Sequence, residues 1–325
     1  MNITPSSSFS RRSFLKSTSL ALPAAGLAVP EWLRAEEKPA AETKVTQLFK
    51  SLNEEQRKTI CFPFDHALRS KVDNNWMIVK QSIAAVLDKN QQDLVKQIFM
   101  DLHSEEYAEK VLGQVVHDSD GEGFEASCAV AIFGEPGTGK FELVLTGRHC
   151  TRRCDGDSVE GAAFGGPIFY GHAAGGFTEG PDHKGNAYWY QAVQANAVFQ
   201  ALDGKQREKA LCEKGRAEQG TDTVKLKDQP DQIDGLLVSD LSKDQQGLVD
   251  KVLADLLAPF RKKDSDEARK LIKGHGIDKL RMAFYKQGDV GDDKVWDVWQ
   301  LESPNMVWHF RGYPHVHCWV NIRQS

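Results

Sequence analysis

Residues 306–322, MVWHFRGYPHVHCWVNI, decide the fold class that the sequence predicts. Apolar and polar side chains alternate on both sides of a Gly-Tyr-Pro turn, a pattern typical of two antiparallel β-strands. Two further alternating runs precede them, KLRMAFYK (279–286) and VWDVWQLE (295–302). We therefore predict that the end of the chain forms an antiparallel meander.

Most of the remaining chain has the spacing of amphipathic helices. The pattern predicts helices over residues 45–62, within 76–116, and over 187–211, 241–260 and 265–276. Helices and strands cluster without a β-α-β rhythm, and no internal repeat has a fixed period. We predict an α+β fold in which helical N-terminal and middle segments pack on a mainly antiparallel sheet.

The stretch GEPGTGK (134–140) has the spacing of a phosphate-binding loop. Such a loop must open a helix and carry Ser or Thr after its lysine. Here Phe141 follows Lys140, and FELVLTG continues as an apolar strand. We predict the turn of a β-hairpin and no nucleotide site.

The first 35 residues have the pattern of an export signal. Arg11 and Arg12 lie in SRRSFLK, an apolar stretch follows, and small residues lead to a cleavage-like end at Ala35. We predict a twin-arginine signal peptide (1–35), a linker (36–44) and a single domain (45–325). The mature protein would be periplasmic or otherwise exported, with the twin-arginine machinery as a partner and no stable membrane span after cleavage.

Charge and cysteine content exclude other classes. The formal net charge is −5, and without residues 1–35 it is 37 − 45 = −8, so no basic surface is available for nucleic acid. The six cysteines are scattered through a chain long enough to build its own core, which is unlike a disulfide framework.

Histidines in the final hairpin suggest a transition-metal site. His315 and His317 share one strand face, and His309 and Arg311 share a face of the preceding strand. With a three-residue turn, Arg311 would lie opposite His315 and His309 opposite His317. A register shift of one residue would remove His309. Imidazoles suit zinc, copper or iron, and the sequence does not choose among them.

Two other histidines extend this prediction. His149 ends the run FELVLTGRH in phase with its core-facing residues, and His172 closes FGGPIFYGH between glycine clusters. We predict a metal site of His149, His315 and His317, with His172 capping it and His309 conditional on the register.

Cys150 and Cys154 beside His149 leave other interpretations open. The pattern His-Cys-x-x-x-Cys could hold copper, and an oxidised pair would form a small-loop disulfide. A plain structural disulfide, or two unpaired thiols, is the simpler alternative.

For function, the pattern favours a metal-dependent hydrolase or oxidoreductase, with Arg311 or Glu302 near the bound group. The chain has no G-x-S-x-G and no H-E-x-x-H motif. One alternative is a non-catalytic module for a metal or small molecule, whose pocket is lined by aromatic residues (Trp308, Trp319, Tyr170 and Phe164). The other is a metal-free structural protein whose histidines form hydrogen bonds within the core.

Three stretches resemble one bacterial family, domain of unknown function 3500. They are residues 146–172 (TGRHCTRRCDGDSVEGAAFGGPIFYGH), 188–211 and 301–322, and FPFDHALRSKVDNNW (62–76) is similar to the family's opening. The resemblance implies one domain over nearly all of the mature chain, export, and histidine motifs at His149, His172, His315 and His317. It implies no reaction, because the family's activity is not established.

Overall fold

The structure is a computed structural model that describes residues 40–172, 186–287, 291 and 293–324. The predicted signal peptide, residues 1–35, lies outside the described residues. The first helix begins at Ala41, so the end of the predicted linker is helical. None of the helices in the described part of the chain is long and apolar enough to cross a bilayer.

Two of the helices predicted as single are each divided into two. A capping box begins a new helix at Asn53 and again at Asp203, where the side chain accepts from the backbone N–H three residues on. The described residues contain ten helices: α1 Ala41–Ser51, α2 Glu54–Ile60, α3 Ile83–Val86, α4 Lys89–Asp101, α5 Ala108–His117, α6 Phe124–Ser127, α7 Trp189–Ala201, α8 Gly204–Ala210, α9 Lys243–Leu257 and α10 Lys262–His275.

The strands form one mostly antiparallel sheet, which confirms the α+β prediction. Its order is β1-β2-β3-β4-β5-β11-β10-β9-β8-β6, with β7 paired to β8. The strands are β1 Cys61–Phe62, β2 Ala129–Gly134, β3 Phe141–Gly147, β4 Cys150–Cys154, β5 Ile168–His172, β6 Leu211–Cys212, β7 Leu236–Leu237, β8 Arg281–Tyr285, β9 Val298–Ser303, β10 Met306–Arg311 and β11 Val316–Ile322. The predicted meander is β8 to β11, and GEPGTGK is the turn between β2 and β3.

Both faces of the sheet are buried. Helices pack on one face, and mainly irregular segments pack on the other, which we call the irregular face. Along β11, Val316, Cys318 and Val320 face a large core to which the long helices contribute. Trp319 points to the other face, where it packs in a small cluster with Phe169 and with residues of irregular segments. His317 shares the face of Trp319, because side chains alternate along a strand. His317 therefore lies on the irregular face of the sheet and not on the face that packs against the helices.

The architecture repeats, although no fixed period is visible in the sequence. One half of the sheet contains β1 to β5, and the other contains β6 and β8 to β11. The two halves join where β5 pairs with β11, and from that pair outward each half lists its strands in reverse order along the chain. In each half the outer strand pairs in parallel, β1 with β2 and β6 with β8. Each half also has two capping boxes, which begin at Asn53 and Asp88 in the first half and at Asp203 and Ser242 in the second. The first boxes of the two halves are 203 − 53 = 150 residues apart and the second boxes are 242 − 88 = 154 apart, so the repeat has no fixed period.

Hydrogen bonds between paired glutamines confirm the repeat at atomic detail. In the first half Gln56 Nε2 donates to Gln91 Oε1 at 2.7 Å, and in the second half Gln206 Nε2 donates to Gln245 Oε1 at 3.1 Å. Each glutamine is the third helical residue of its capping box. The described part of the chain therefore consists of two similar halves, and residues at their junction come from both.

Candidate metal centre

The final hairpin brings His315 and His317 to one end of the sheet with a longer turn than predicted. Arg311 lies opposite His317 and His309 opposite Trp319, so the predicted pairing of Arg311 with His315 is wrong. The pairing is displaced by two residues, because β11 begins only at Val316. An even displacement leaves the same side chains on the same face.

His149 lies in the tight turn between β3 and β4, not in a strand as predicted. β3 ends at Gly147, and His149 has φ 54°, with its backbone N–H bonded to Asn74 O at 2.7 Å. The bend carries the imidazole toward β11 over Gly171, the residue paired with His317. A Cβ on Gly171 would lie 3.1 Å from His149 Cδ2 and 2.2 Å from Val316 O. The missing side chain therefore allows the imidazole of the β3–β4 turn to meet the imidazole of His317 on β11.

The Nε2 atoms of the three histidines form a nearly equilateral triangle. His149 lies 3.1 Å from both His315 and His317, and those two are 2.9 Å apart. The centre of such a triangle is about 1.8 Å from each nitrogen, so one point can lie at the roughly 2.0–2.1 Å of a zinc–imidazole bond from all three. These three residues are a group that could hold a metal ion. We call them the histidine triangle.

Carboxylates set the tautomers of two rings in the triangle. His149 Nδ1 lies 2.9 Å from Asp118 Oδ2, and His317 Nδ1 lies 2.5 Å from Glu218 Oε2. We assign the proton to Nδ1 in both rings, because a carboxylate only accepts. The two Nε2 atoms then present lone pairs to each other at 3.1 Å. A metal ion would accept the lone pairs of all three Nε2 atoms at once. Without a metal, a single proton on His315 Nε2 would have to be shared between two acceptors, the Nε2 atoms of His149 and His317.

All three imidazoles are neutral near pH 7. Burial and the Arg148 guanidinium lower the pKa of His149 to about 3. Burial and the other two imidazoles lower the pKa of His315 to about 3. Burial lowers the pKa of His317 to about 4, although Glu218 opposes that shift. Neutral imidazole is the form that ligates a metal, so protons do not compete with a metal ion for these nitrogens near pH 7.

Arg311, predicted near the bound group, holds Glu218 in place. Its Nε donates to Glu218 Oε1 at 2.6 Å and its Nη2 donates to Oε2 at 3.1 Å. Nη2 also lies 2.5 Å from His317 Nδ1. Because His317 Nδ1 carries a proton, Arg311 Nη2 cannot donate to it. We therefore assign the hydrogen bond of Nη2 to the Glu218 carboxylate. Burial raises the pKa of Glu218, but His317 and Arg311 outweigh it and lower the pKa far below its usual range.

The structure does not bring Glu302 or His309 to the triangle. Glu302 lies on β9, which β10 separates from β11, and it pairs with Arg216 and accepts from Gln300 Nε2 at 2.5 Å. His309 Nδ1 lies 3.1 Å from Gln300 Oε1. These side chains form a polar row buried on the irregular face of the sheet.

The remaining candidates have other surroundings. His172 belongs to a second group with His117 and Asp118, next to the triangle. Neither group contains Cys150 or Cys154, which are buried and free of a disulfide, and burial raises the pKa of Cys150 to about 11. The aromatic residues predicted to line a pocket are buried in the core clusters: Trp308, Trp319, Tyr170 and Phe164.

Sequence reasoning missed Asp118 and Glu218. Asp118 directly follows the last residue of α5, and Glu218 lies in an irregular segment after β6. No local pattern distinguishes these acids from others on the surface. Their position beside a histidine depends on chain segments that lie 31 and 99 residues away in sequence.

Replacing Glu218 with glutamine is expected to weaken metal binding by about 10- to 100-fold, the usual cost of losing an outer carboxylate partner. The amide keeps the size of the side chain but lacks the charge that polarises His317. The measurement is zinc affinity by competition with a chromophoric chelator. The control is Glu213→Gln, whose carboxylate pairs with Lys286 at an exposed position. Equal affinities in the two variants would contradict the role of Glu218.

The chain was compared with protein-family models, curated proteins and solved structures. A family model described as "Protein of unknown function (DUF3500)" matches residues 35–321, which confirms the resemblance to that family. Neither the curated proteins nor the solved structures contain a match.

Proposed function

The chain belongs to the DUF3500 family, and from that premise we propose that it binds one transition-metal ion on the histidine triangle and uses it for hydrolysis. The observation that carries this proposal is the approach of three neutral imidazole nitrogens to within 3.1 Å of one another, two of them with their lone pairs directed inward by carboxylates.

The donor set supports zinc over the other candidate metals. Three imidazoles with one open position are a common catalytic zinc arrangement, and carboxylates that accept from the other ring nitrogen accompany it. No thiolate belongs to the group, which disfavours Cu(I), and no carboxylate belongs to it, which differs from the two-histidine, one-carboxylate pattern of iron oxygenases. Copper or iron would favour the alternative of an oxidoreductase.

An open position is supported by the exposure of the site. His149 and His317 are buried, whereas His315 is partly exposed in the turn before β11. Among the described residues, no fourth histidine, cysteine or carboxylate joins the group. A ligand from solvent would therefore approach beside His315.

The chain's own residues would prepare the site for this chemistry. A bound zinc ion would supply Lewis acidity, lowering the pKa of a water or polarising a carbonyl. Asp118 and Glu218 fix the tautomers and orientation of His149 and His317. Arg311 positions Glu218 and offsets its charge. Arg148, which pairs with the exposed Asp120 at 2.9 Å, lies at the margin of the site.

The location of this activity is also a proposal. The Arg11-Arg12 pair supports export by the twin-arginine route, which carries folded proteins, so the metal would be loaded before export. The negative charge of the mature chain disfavours polyanions as substrates and leaves small neutral or cationic molecules as the expected class.

Cobalt substitution tests the open position. We expect the visible spectrum of the protein carrying one equivalent of Co²⁺ to change when azide is added, because azide can occupy an open coordination position. The zinc-loaded protein should hydrolyse p-nitrophenyl acetate faster than the His149→Ala variant. A cobalt spectrum that azide leaves unchanged would indicate a closed site for storage or structure. Hydrolysis at the same rate in the variant would contradict catalysis at the triangle.

A further inference from the structure

We propose a second metal site beside the histidine triangle, formed by His117, Asp118 and His172 and suited to a divalent transition-metal ion. Its existence does not depend on the proposed function. Its coupling to the triangle does, because Asp118 contacts both sites.

Two elements meet to form this second site. His117 is the last residue of α5 and Asp118 follows it, while His172 is the last residue of β5. One ligand atom from each of the three residues lies within 4.8 Å of the other two. The rings of His117 and His172 are stacked, with centroids 5.5 Å apart and an angle of 17° between their planes. The three donors therefore converge although the residues come from two parts of the chain.

The upper limit on these distances is close to the spacing of ligand atoms around a metal ion. Ligand atoms at roughly 2.0–2.2 Å from an ion lie at most about 4.4 Å apart. His172 and Asp118 are buried, at 1% and 2% exposure, and are held by their surroundings. His117 is exposed, so its ring can turn toward the other two. An ion would enter from solvent on the side of His117.

The donors and the local field both favour a cation. Two imidazoles and a carboxylate suit zinc, iron and copper. The carbonyl groups at the C-terminal end of α5, a helix of 10 residues, add negative partial charge at the same place. Asp118 accepts from His149 Nδ1 and from Gln114 Nε2, each at 2.9 Å, and these bonds orient its carboxylate.

Sharing Asp118 couples the two sites. Its Oδ2 accepts from His149, a ligand in the triangle, so an ion in the triangle draws charge from the same carboxylate that would bind the second ion. The two ions also repel each other directly. Both effects have the same sign, and linkage makes them reciprocal. The second ion should therefore bind more weakly while the triangle is occupied.

Calorimetric titration of the metal-free full-length protein with Zn²⁺ tests this proposal. We expect wild type to bind two ions in two phases and His117→Ala to bind one, with the first phase unchanged. His315→Ala/His317→Ala should also bind one ion. That ion should bind at least about fivefold more tightly than the second ion of wild type, because the coupled partner is gone. His66→Ala, which lies outside both groups, should bind two.

The outcomes separate the two proposals. A wild-type protein that binds one ion, lost in His315→Ala/His317→Ala, would overturn the second site and leave the first. Two ions in His117→Ala would also overturn it, as adventitious binding elsewhere. If His315→Ala/His317→Ala loses nothing, the triangle fails and the second site is judged by His117→Ala alone. Because His117 is exposed, its replacement is not expected to disturb folding, and His172→Gln provides an independent variant at the buried ligand.

Discussion

The metal content retained after dialysis is expected to fall by about one equivalent, the ion of the histidine triangle, when His315 and His317 are both replaced by alanine. The variant removes two of the three nitrogens of the triangle and leaves His149 alone. The loss of affinity should exceed the roughly 10- to 100-fold effect of removing an outer-shell partner. Elemental analysis of protein purified from an exporting host gives the metal and its amount.

The matched control for this experiment is His66→Ala, a histidine outside both metal-competent groups. It should retain the wild-type content. Circular dichroism separates loss of metal from loss of fold, and His317→Gln, which keeps a polar side chain at the buried position, should still lose metal. Wild-type metal content in the folded double variant would mean that the three imidazoles are held together by hydrogen bonds and that the triangle is structural.

Replacing Glu142 with glutamine is expected to lower the free energy of unfolding by about 3–5 kcal/mol, the usual cost of leaving one member of a buried ion pair unpaired. Glu142 accepts from Arg153 Nη1 at 2.7 Å and from Arg69 Nη1 at 2.9 Å. The side chains of Glu142 and Arg153 have no exposed surface. Burial raises the pKa of Glu142, and the guanidiniums of Arg153 and Arg69 oppose that shift. The variant leaves the Arg153 charge in the protein interior.

Urea unfolding measures this loss as a lower midpoint at an unchanged slope. Glu55→Gln is the control, because its pair with Lys58 is largely exposed and exposed pairs contribute little. A Glu142→Gln variant as stable as Glu55→Gln would show that hydrogen bonds from Arg153 to backbone carbonyls, such as Pro167 O at 2.6 Å, satisfy the guanidinium without a carboxylate.

Local sequence patterns predicted some secondary-structure elements correctly and others incorrectly. Alternation in MVWHFR and VHCWVNI predicted β10 and β11, because side-chain period depends only on neighbours in sequence. The pattern over 45–62 predicted one helix, but Asn53 begins a second one, since its side chain caps the new helix. The repeat was not detected in the sequence because the spacing between corresponding residues of the two halves varies. It is 150 residues for the first capping box and 154 for the second.

By itself, the sequence determined the α+β class, the final meander, the hairpin around GEPGTGK and three histidines that could hold a metal ion, His149, His315 and His317. These follow from periodicity and from the donor chemistry of imidazole, which are local properties. Only the tertiary structure decided that His149 turns toward His317 over Gly171, that Asp118 and Glu218 set the tautomers, and that His172 groups with His117. Those contacts join segments far apart in the chain at the junction of two halves. Their formation depends on how the strands pair, which no local pattern specifies.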